Sequence, residues 1–73
     1  MIFVYVIKSQ KNKFRYVGIT NNLNRRLSEH NYGKNTSTSF YKPFDLIYTE
    51  SFKDYKEARV REKFLKVDKV ESF

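Results

Sequence analysis

The sequence predicts a small α+β fold in which a three-stranded antiparallel sheet is flanked by helices, with the elements in the order ββαβα. Three short apolar runs rich in β-branched and aromatic residues predict strands over Ile2–Ile7, Phe14–Ile19 and Leu46–Ser51. Apolar residues at helical spacing predict helices over Leu23–Asn31 and Tyr55–Val67. Because the connections are short and the chain has 73 residues, we expect one domain spanning residues 1–73.

The first two strands are predicted to form a hairpin around a polar turn at residues 9–12. If Ile7 lies opposite Phe14, then Tyr5 lies opposite Tyr16, because the numbers of opposed residues in an antiparallel ladder have a constant sum. Opposed residues share a face of the sheet. The two tyrosines are therefore expected side by side, either as packing residues or as a pair of hydroxyls with a chemical role.

The first helix is predicted to begin after the cap-type residues 20–22 and to bury Leu23 and Leu27. Arg26 and His30 are four residues apart and slightly displaced around the helix. They are therefore expected to project together from the edge of the buried stripe.

The second helix is predicted to begin after Asp54 as its cap, because Asp54 and Glu57 have the spacing of a capping box. At 100° per residue, one buried stripe of this helix consists of Tyr55, Ala58, Glu62 and Leu65. A second apolar edge, also expected to be covered, consists of Val60, Phe64 and Val67. Glu62 stands out as an acid within an otherwise apolar line.

The composition favours a polyanionic partner. The formal net charge of +7 is large for so small a surface, and nucleic acid is the first polyanion that it would attract. The alternative explanation is that the charge serves solubility alone, as in other small basic proteins. The absence of cysteine excludes a disulfide framework and a zinc–thiolate site. The longest apolar run is far too short to span a bilayer, so we expect a cytoplasmic protein with no membrane partner.

Five polar residues are placed by these patterns toward the interior edge of the fold: Tyr5, Tyr16, Arg26, His30 and Glu62. Each has a structural explanation, because tyrosines fill cores, arginines coat surfaces, a histidine caps a helix end, and a glutamate pairs with the lysine four residues on. Together they also supply what phosphodiester cleavage requires: an oxygen ligand for a divalent metal, a cation for the phosphate, and a proton acceptor for water.

Several motifs in order also carry a family resemblance. They are Phe-Val-Tyr at 3–5, Tyr-Val-Gly at 16–18, Asn-Asn-Leu-Asn-Arg-Arg-Leu-Ser-Glu-His-Asn at 21–31, Lys-Pro-Phe-Asp-Leu-Ile-Tyr at 42–48 and Arg-Glu-Lys-Phe-Leu-Lys at 61–66. The sequence resembles the GIY-YIG nuclease superfamily, in particular its short stand-alone bacterial members, which are related to the N-terminal domain of a bacterial excinuclease. The resemblance covers nearly the whole chain and implies the fold predicted above.

The resemblance implies a role for each of the five polar residues. Tyr5 matches the tyrosine that acts as general base or positions the attacking water, and Tyr16 matches the tyrosine beside the scissile phosphate. Arg26 matches the arginine that contacts the phosphate, and His30 matches a histidine that helps some members to activate the nucleophile. Glu62 matches the single acidic ligand of Mg²⁺ or Mn²⁺, which we expect to be bound weakly.

The sequence departs from the family pattern at two places. Phe3 stands where the first motif has its leading glycine, and no asparagine follows Asn35, although larger members carry one after the metal-binding glutamate. The glycine of the second motif is kept as Gly18, where the absence of a side chain is expected to allow the strand to end tightly and the substrate to approach.

These observations lead to two functional hypotheses. The first is a metal-dependent endonuclease that hydrolyses phosphodiester bonds in DNA, with branched or damaged DNA as candidate substrate and a protein partner as one source of specificity. The second is a nucleic-acid-binding module of the same fold with little or no cleavage. A purely structural protein would leave the five family-matched residues unexplained. The candidate nucleic-acid contacts are Arg25, Arg26, Lys34 and Lys42.

Overall fold

The computed structural model describes residues 1–33 and 39–71, with side chains as far as Lys66. The elements are β1 (Ile2–Ser9), β2 (Arg15–Thr20), α1 (Leu23–Tyr32), a 3₁₀ turn (Ser39–Tyr41), β3 (Phe44–Phe52) and α2 (Tyr55–Glu71). The strands form one antiparallel sheet in the order β2-β1-β3. The predicted α+β class and the ββαβα order are therefore confirmed.

The central strand β1 is covered on both faces. On one face, Ile2 and Val4 pack with Val17 of β2 and Ala58 of α2. On the other face, Tyr5 and Ile7 pack with Phe44 of β3, and the half-buried Leu23 and Leu27 of α1 complete this second cluster. Burial on both faces explains why β1 is a continuous apolar run without polar alternation. The sheet thus separates α1 from α2.

The hairpin register differs from the prediction by two residues. Tyr5 lies opposite Gly18, and Tyr16 lies opposite Ile7. The predicted pairing was wrong because the turn lies one residue further along the chain than assumed, at residues 10–13: β1 extends to Ser9, whose amide donates to the Phe14 carbonyl at 2.9 Å. A shift of two residues leaves every side chain on its face. Tyr5 and Tyr16 are therefore still neighbours on one face, as diagonal rather than opposed residues.

Side-chain caps begin both helices, as predicted. The Asn22 carboxamide oxygen accepts from the Arg25 amide at 3.1 Å at the start of α1. The Asp54 carboxylate accepts from the Glu57 amide at 3.1 Å at the start of α2. Helix α1 ends at Gly33, whose φ of 84° lies in the left-handed region that favours glycine.

The second apolar edge predicted for α2 is not covered. Val60 is 67% exposed and Phe64 is 56% exposed, and Tyr55, at the first position of the helix, is also exposed. The prediction was wrong because α2 meets a sheet of three strands through one stripe, in which Ala58 is buried and Leu65 is half-buried. The side chain of Val67, the third member of that edge, lies outside the described residues. Among the described residues, no helix has the length and apolar character needed to cross a membrane.

Three hydrogen bonds tie the start of β3 to the rest of the fold. The Phe44 amide donates to the Asn31 side-chain oxygen at 2.6 Å, which joins the end of α1 to β3. The Ser9 hydroxyl donates to the Tyr41 carbonyl at 2.6 Å, and the Gln10 amide donates to the Pro43 carbonyl at 2.9 Å. The first bond holds the last turn of α1 against β3, and the other two hold the segment before β3 against the end of β1.

Replacing Asn31 with alanine should therefore lower the free energy of unfolding by about 1 kcal/mol, because the amide of the buried Phe44 loses its partner. Asn24→Ala is the matched control, since Asn24 is an exposed asparagine on the same helix. Urea denaturation of both variants measures the difference. Equal effects of the two substitutions would contradict the role given to the Asn31 side chain.

Candidate active site

Three of the predicted residues meet on the face of the sheet that α1 covers. Tyr5 comes from β1, Tyr16 from β2 and His30 from the last turn of α1. The ring centroids of Tyr5 and Tyr16 are 6.3 Å apart, and the His30 ring lies 5.0 Å from that of Tyr16 and 6.0 Å from that of Tyr5. Tyr5 is 1% exposed and His30 is fully buried. His30 is therefore part of the interior and not a solvated helix cap.

The Tyr5 hydroxyl is hydrogen-bonded to His30. Its oxygen lies 3.0 Å from His30 Nε2, and the Arg26 guanidinium is also within hydrogen-bonding reach of it. Because a guanidinium can only donate, Arg26 donates to the phenol oxygen, and the Tyr5 hydroxyl can donate to Nε2 of a neutral His30. In that arrangement the proton of the His30 ring lies on Nδ1.

The electrostatics of the cluster support this assignment of protons. Burial raises the pKa of Tyr5, which keeps the hydroxyl protonated at neutral pH. Burial, together with the positive charge of Arg26, lowers the pKa of His30 and keeps its ring neutral. Hydrogen bonding with the Tyr5 hydroxyl raises the pKa of Arg26, so the guanidinium stays charged.

Arg26 is oriented by a residue to which the sequence pattern assigned no role. Glu29 Oε1 accepts from Arg26 Nη1 at 2.9 Å, and Glu29 Oε2 lies 3.9 Å from Arg25 Nε. The signal was present in the sequence, since Glu29 follows the two arginines at helical spacings of three and four residues. The Arg26 side chain is 33% exposed, so it reaches solvent, and Tyr16 is also partly exposed.

Gly18 makes room for the Tyr5 hydroxyl. It lies inside β2 and not at its end, opposite Tyr5, and its φ is not in the left-handed region. A methyl group at this position would lie 2.5 Å from the Tyr5 hydroxyl oxygen and 2.9 Å from a ring carbon of Tyr16. The expectation that Gly18 allows a tight strand end was therefore wrong: the space above its Cα is filled by the Tyr5 phenol.

Glu62 lies on α2, whose buried Ala58 packs on the face of the sheet opposite to Tyr5, Tyr16, Arg26 and His30, which we call the tyrosine cluster. Glu62 is one turn from the buried Ala58, and its side chain is 12% exposed. Its carboxylate pairs with Lys66 Nζ at 2.9 Å and with Arg59 Nη1 at 4.0 Å, both on its own helix. The structure thus brings four of the five candidate residues together and places Glu62 apart from them.

The side chains described above can be compared with the ligands that a divalent metal ion needs. The residues described by the structure include no group of three or more His, Cys, Asp or Glu side chains that could hold a metal ion. Mg²⁺, however, usually keeps several waters and binds through one or two carboxylates plus substrate phosphates. The single half-buried carboxylate of Glu62 fits that mode of binding and does not fit a metal cage made of protein alone.

The candidate nucleic-acid contacts are divided among three places. Arg25 is exposed on α1 and pairs with Glu29, whereas Arg26 belongs to the tyrosine cluster. Lys42 is exposed just before β3. Lys34 lies outside the described residues.

Substitution of Gly18 by alanine should lower the free energy of unfolding by about 1–3 kcal/mol, because the new methyl group overlaps the Tyr5 phenol. Part of that cost should disappear in the Tyr5→Phe background, where the closest atom is removed. A double-mutant cycle by urea denaturation measures this coupling. Additive effects of the two substitutions would contradict the role given to Gly18.

The stability of the protein should fall as the pH is lowered through the ordinary histidine pKa of 6.5. The pKa of His30 is lower in the folded state, so below 6.5 the unfolded chain binds more protons than the folded protein. Because His30 is the only histidine, the effect between about pH 5.5 and 7.5 reports on it alone. Urea denaturation across this range is the measurement, with His30→Gln as the variant that should lose the slope. A wild-type stability independent of pH in this range would contradict the buried neutral histidine.

Comparison with known proteins assigns the family. The GIY-YIG catalytic domain family matches residues 1–70. The UPF0213 protein YazA of Bacillus subtilis is 40% identical over 65 residues, which cover 88% of this chain and 65% of that relative. A UPF0213 protein of Clostridium perfringens is 39% identical, and the match covers 90% of this chain and 71% of that relative. A UPF0213 protein of Staphylococcus haemolyticus is 38% identical, and the match covers 82% of this chain and 73% of that relative. This chain thus spans about two thirds of the length of the Bacillus subtilis relative.

No solved structure matches the chain significantly. The motifs, the sheet with its two helices and the family match over residues 1–70 agree with one another. The resemblance predicted from the motifs is thereby confirmed. The chain belongs to the GIY-YIG family of nuclease-type catalytic domains.

Proposed function

We propose that the protein is a metal-dependent endonuclease that hydrolyses phosphodiester bonds in DNA. The observation that carries the proposal is the Tyr5 hydroxyl, which is held between a neutral His30 and the charged Arg26 in a nuclease-type domain. A phenol in this position has a proton acceptor on one side and a cation for a phosphate on the other. This is the combination that activation of water beside a phosphodiester requires.

Arg26 is the first of these groups that a substrate would meet. Its guanidinium is partly exposed, whereas Tyr5 and His30 are buried beneath it. A phosphate oxygen bound by the fork of Arg26 donors would lie next to the Tyr5 hydroxyl. Glu29 holds one side of the guanidinium and so limits the direction from which a phosphate can approach.

Tyr5 and His30 then supply the proton path. As water attacks the phosphorus, it gives a proton to the phenol oxygen, and the phenol proton passes to His30 Nε2. The burial that lowers the pKa of His30 keeps Nε2 free to accept this proton at neutral pH. The charge that develops on the phosphate is neutralised by Arg26.

Glu62 would hold the metal ion, Mg²⁺ or Mn²⁺, as a single carboxylate ligand from the protein. A divalent cation held there would supply charge neutralisation to a phosphate on the α2 side of the sheet. Binding of the ion requires the Glu62 carboxylate to exchange its pairing with Lys66 and Arg59 for the metal. This competition is consistent with weak metal binding.

The second candidate function is a nucleic-acid-binding module with little or no cleavage. Two observations favour it: Tyr5 is only 1% exposed, and Glu62 is paired on the opposite side of the sheet. In that case the Tyr5–His30 pair serves to hold Arg26 in place for a phosphate. The net charge of +7 supports binding in both candidates.

Cleavage measured on branched, damaged, single-stranded and linear duplex DNA, and on RNA, separates the two candidates. With Mg²⁺ or Mn²⁺ we expect nicking of DNA that is lost in Glu62→Gln and falls about 10²–10⁴-fold in Tyr5→Phe, the range for loss of a general acid–base group. Tyr55→Phe is the matched control, since Tyr55 is 58% exposed on α2. Binding without cutting on every substrate would favour the module, and absence of both would contradict both candidates.

A further inference from the structure

Helix α2 carries a row of four basic side chains that neither the candidate active site nor the candidate nucleic-acid contacts include. The row consists of Lys56, Arg59, Lys63 and Lys66, at successive spacings of three, four and three residues. Such spacings place side chains on one side of a helix. All four residues are exposed. We call this row the basic face of α2.

The basic face borders Glu62. Two of its members pair with the Glu62 carboxylate, Lys66 at 2.9 Å and Arg59 at 4.0 Å. Within residues 1–33 and 39–66, no ion pair involves the other two members, Lys56 and Lys63. The face therefore offers at least two cationic groups to a ligand beside the acid proposed to hold the metal.

The length and charge of the basic face match a nucleic-acid backbone. From Lys56 to Lys66 the helix rises about 15 Å, at about 1.5 Å per residue. One strand of a duplex carries a phosphate about every 3.4 Å along its axis, so a similar length holds roughly four phosphates. Four cations thus face about the same number of anions.

We propose that the basic face of α2 binds the phosphate backbone of a nucleic-acid strand and leads it past Glu62. This inference rests on the proposed function in one respect, that Glu62 is the residue that holds the metal ion. It adds a contact surface on the side of the sheet opposite α1. The strand is bound through its charge and not through its bases, so the contact is independent of sequence.

An anionic membrane is the competing ligand for a basic helix with apolar neighbours. Val60 and Phe64 are exposed next to the basic face. This apolar area is small, and the Arg61 guanidinium lies over the Phe64 ring, 5.0 Å from its centroid. Membership of a nuclease-type family adds a further reason to favour nucleic acid.

The test is the salt dependence of binding, measured without divalent ions by the fluorescence anisotropy of a labelled duplex and a labelled single strand. The variant is Lys56→Gln/Lys63→Gln. The matched control is Lys11→Gln/Lys13→Gln, which removes two exposed lysines from the hairpin turn and lowers the net charge equally. Loss of two phosphate contacts should flatten the slope of log K against log salt for the duplex by about 1.8 in the α2 variant. The control should keep the wild-type slope.

Equal changes of slope in the two double variants would overturn the proposal, as would a wild-type protein that binds neither oligonucleotide. So would retention on phosphatidylserine-containing vesicles combined with no binding of the oligonucleotides. Binding in this assay does not depend on cleavage. If the protein binds nucleic acid through α2 but does not cut DNA, the proposed endonuclease function is contradicted. The proposal that the basic face of α2 binds nucleic acid is then still supported.

Discussion

The structure depends on one buried hydrogen bond, between the Tyr5 hydroxyl and His30 Nε2. It joins the central strand to the last turn of α1, and both partners are almost completely buried. Either partner without the other would leave a polar atom unpaired in the interior, which costs about 1–3 kcal/mol. The surrounding features follow from this bond. Gly18 leaves space for the phenol, Arg26 donates to its oxygen, and Glu29 holds Arg26.

The same bond links stability to chemistry. Burial that keeps His30 neutral also makes Nε2 a proton acceptor, and burial of Tyr5 keeps its proton in place until an acceptor takes it. A domain of this size has a small core, so the cluster that serves the proposed chemistry also supplies much of the packing on its face of the sheet. Changes in this cluster are therefore expected to affect folding and activity together.

The sheet divides the remaining functional groups. The tyrosine cluster and α1 lie on one face, and Glu62 with the basic face of α2 lies on the other. Strand β2 is an edge of a sheet only three strands wide, and α2 contacts it as well as β1. A nucleic acid is large enough to contact both faces at once around such an edge, which a small ligand is not. The division is therefore compatible with the substrate class of the family.

The sequence by itself determined the order of the elements, the helix caps and the membership of the tyrosine cluster. These follow from local rules: residues two apart in a strand share a face, residues four apart in a helix share a side, and Asn22 and Asp54 can cap without distant partners. Only the tertiary structure decided the register of the hairpin, the exposure of Val60 and Phe64, and the packing of α2 on the face opposite Tyr5. Each of these depends on a contact between elements, namely where along the chain the hairpin turn forms, how wide the sheet is, and which face a helix covers. Periodicity along one segment carries no information about any of them.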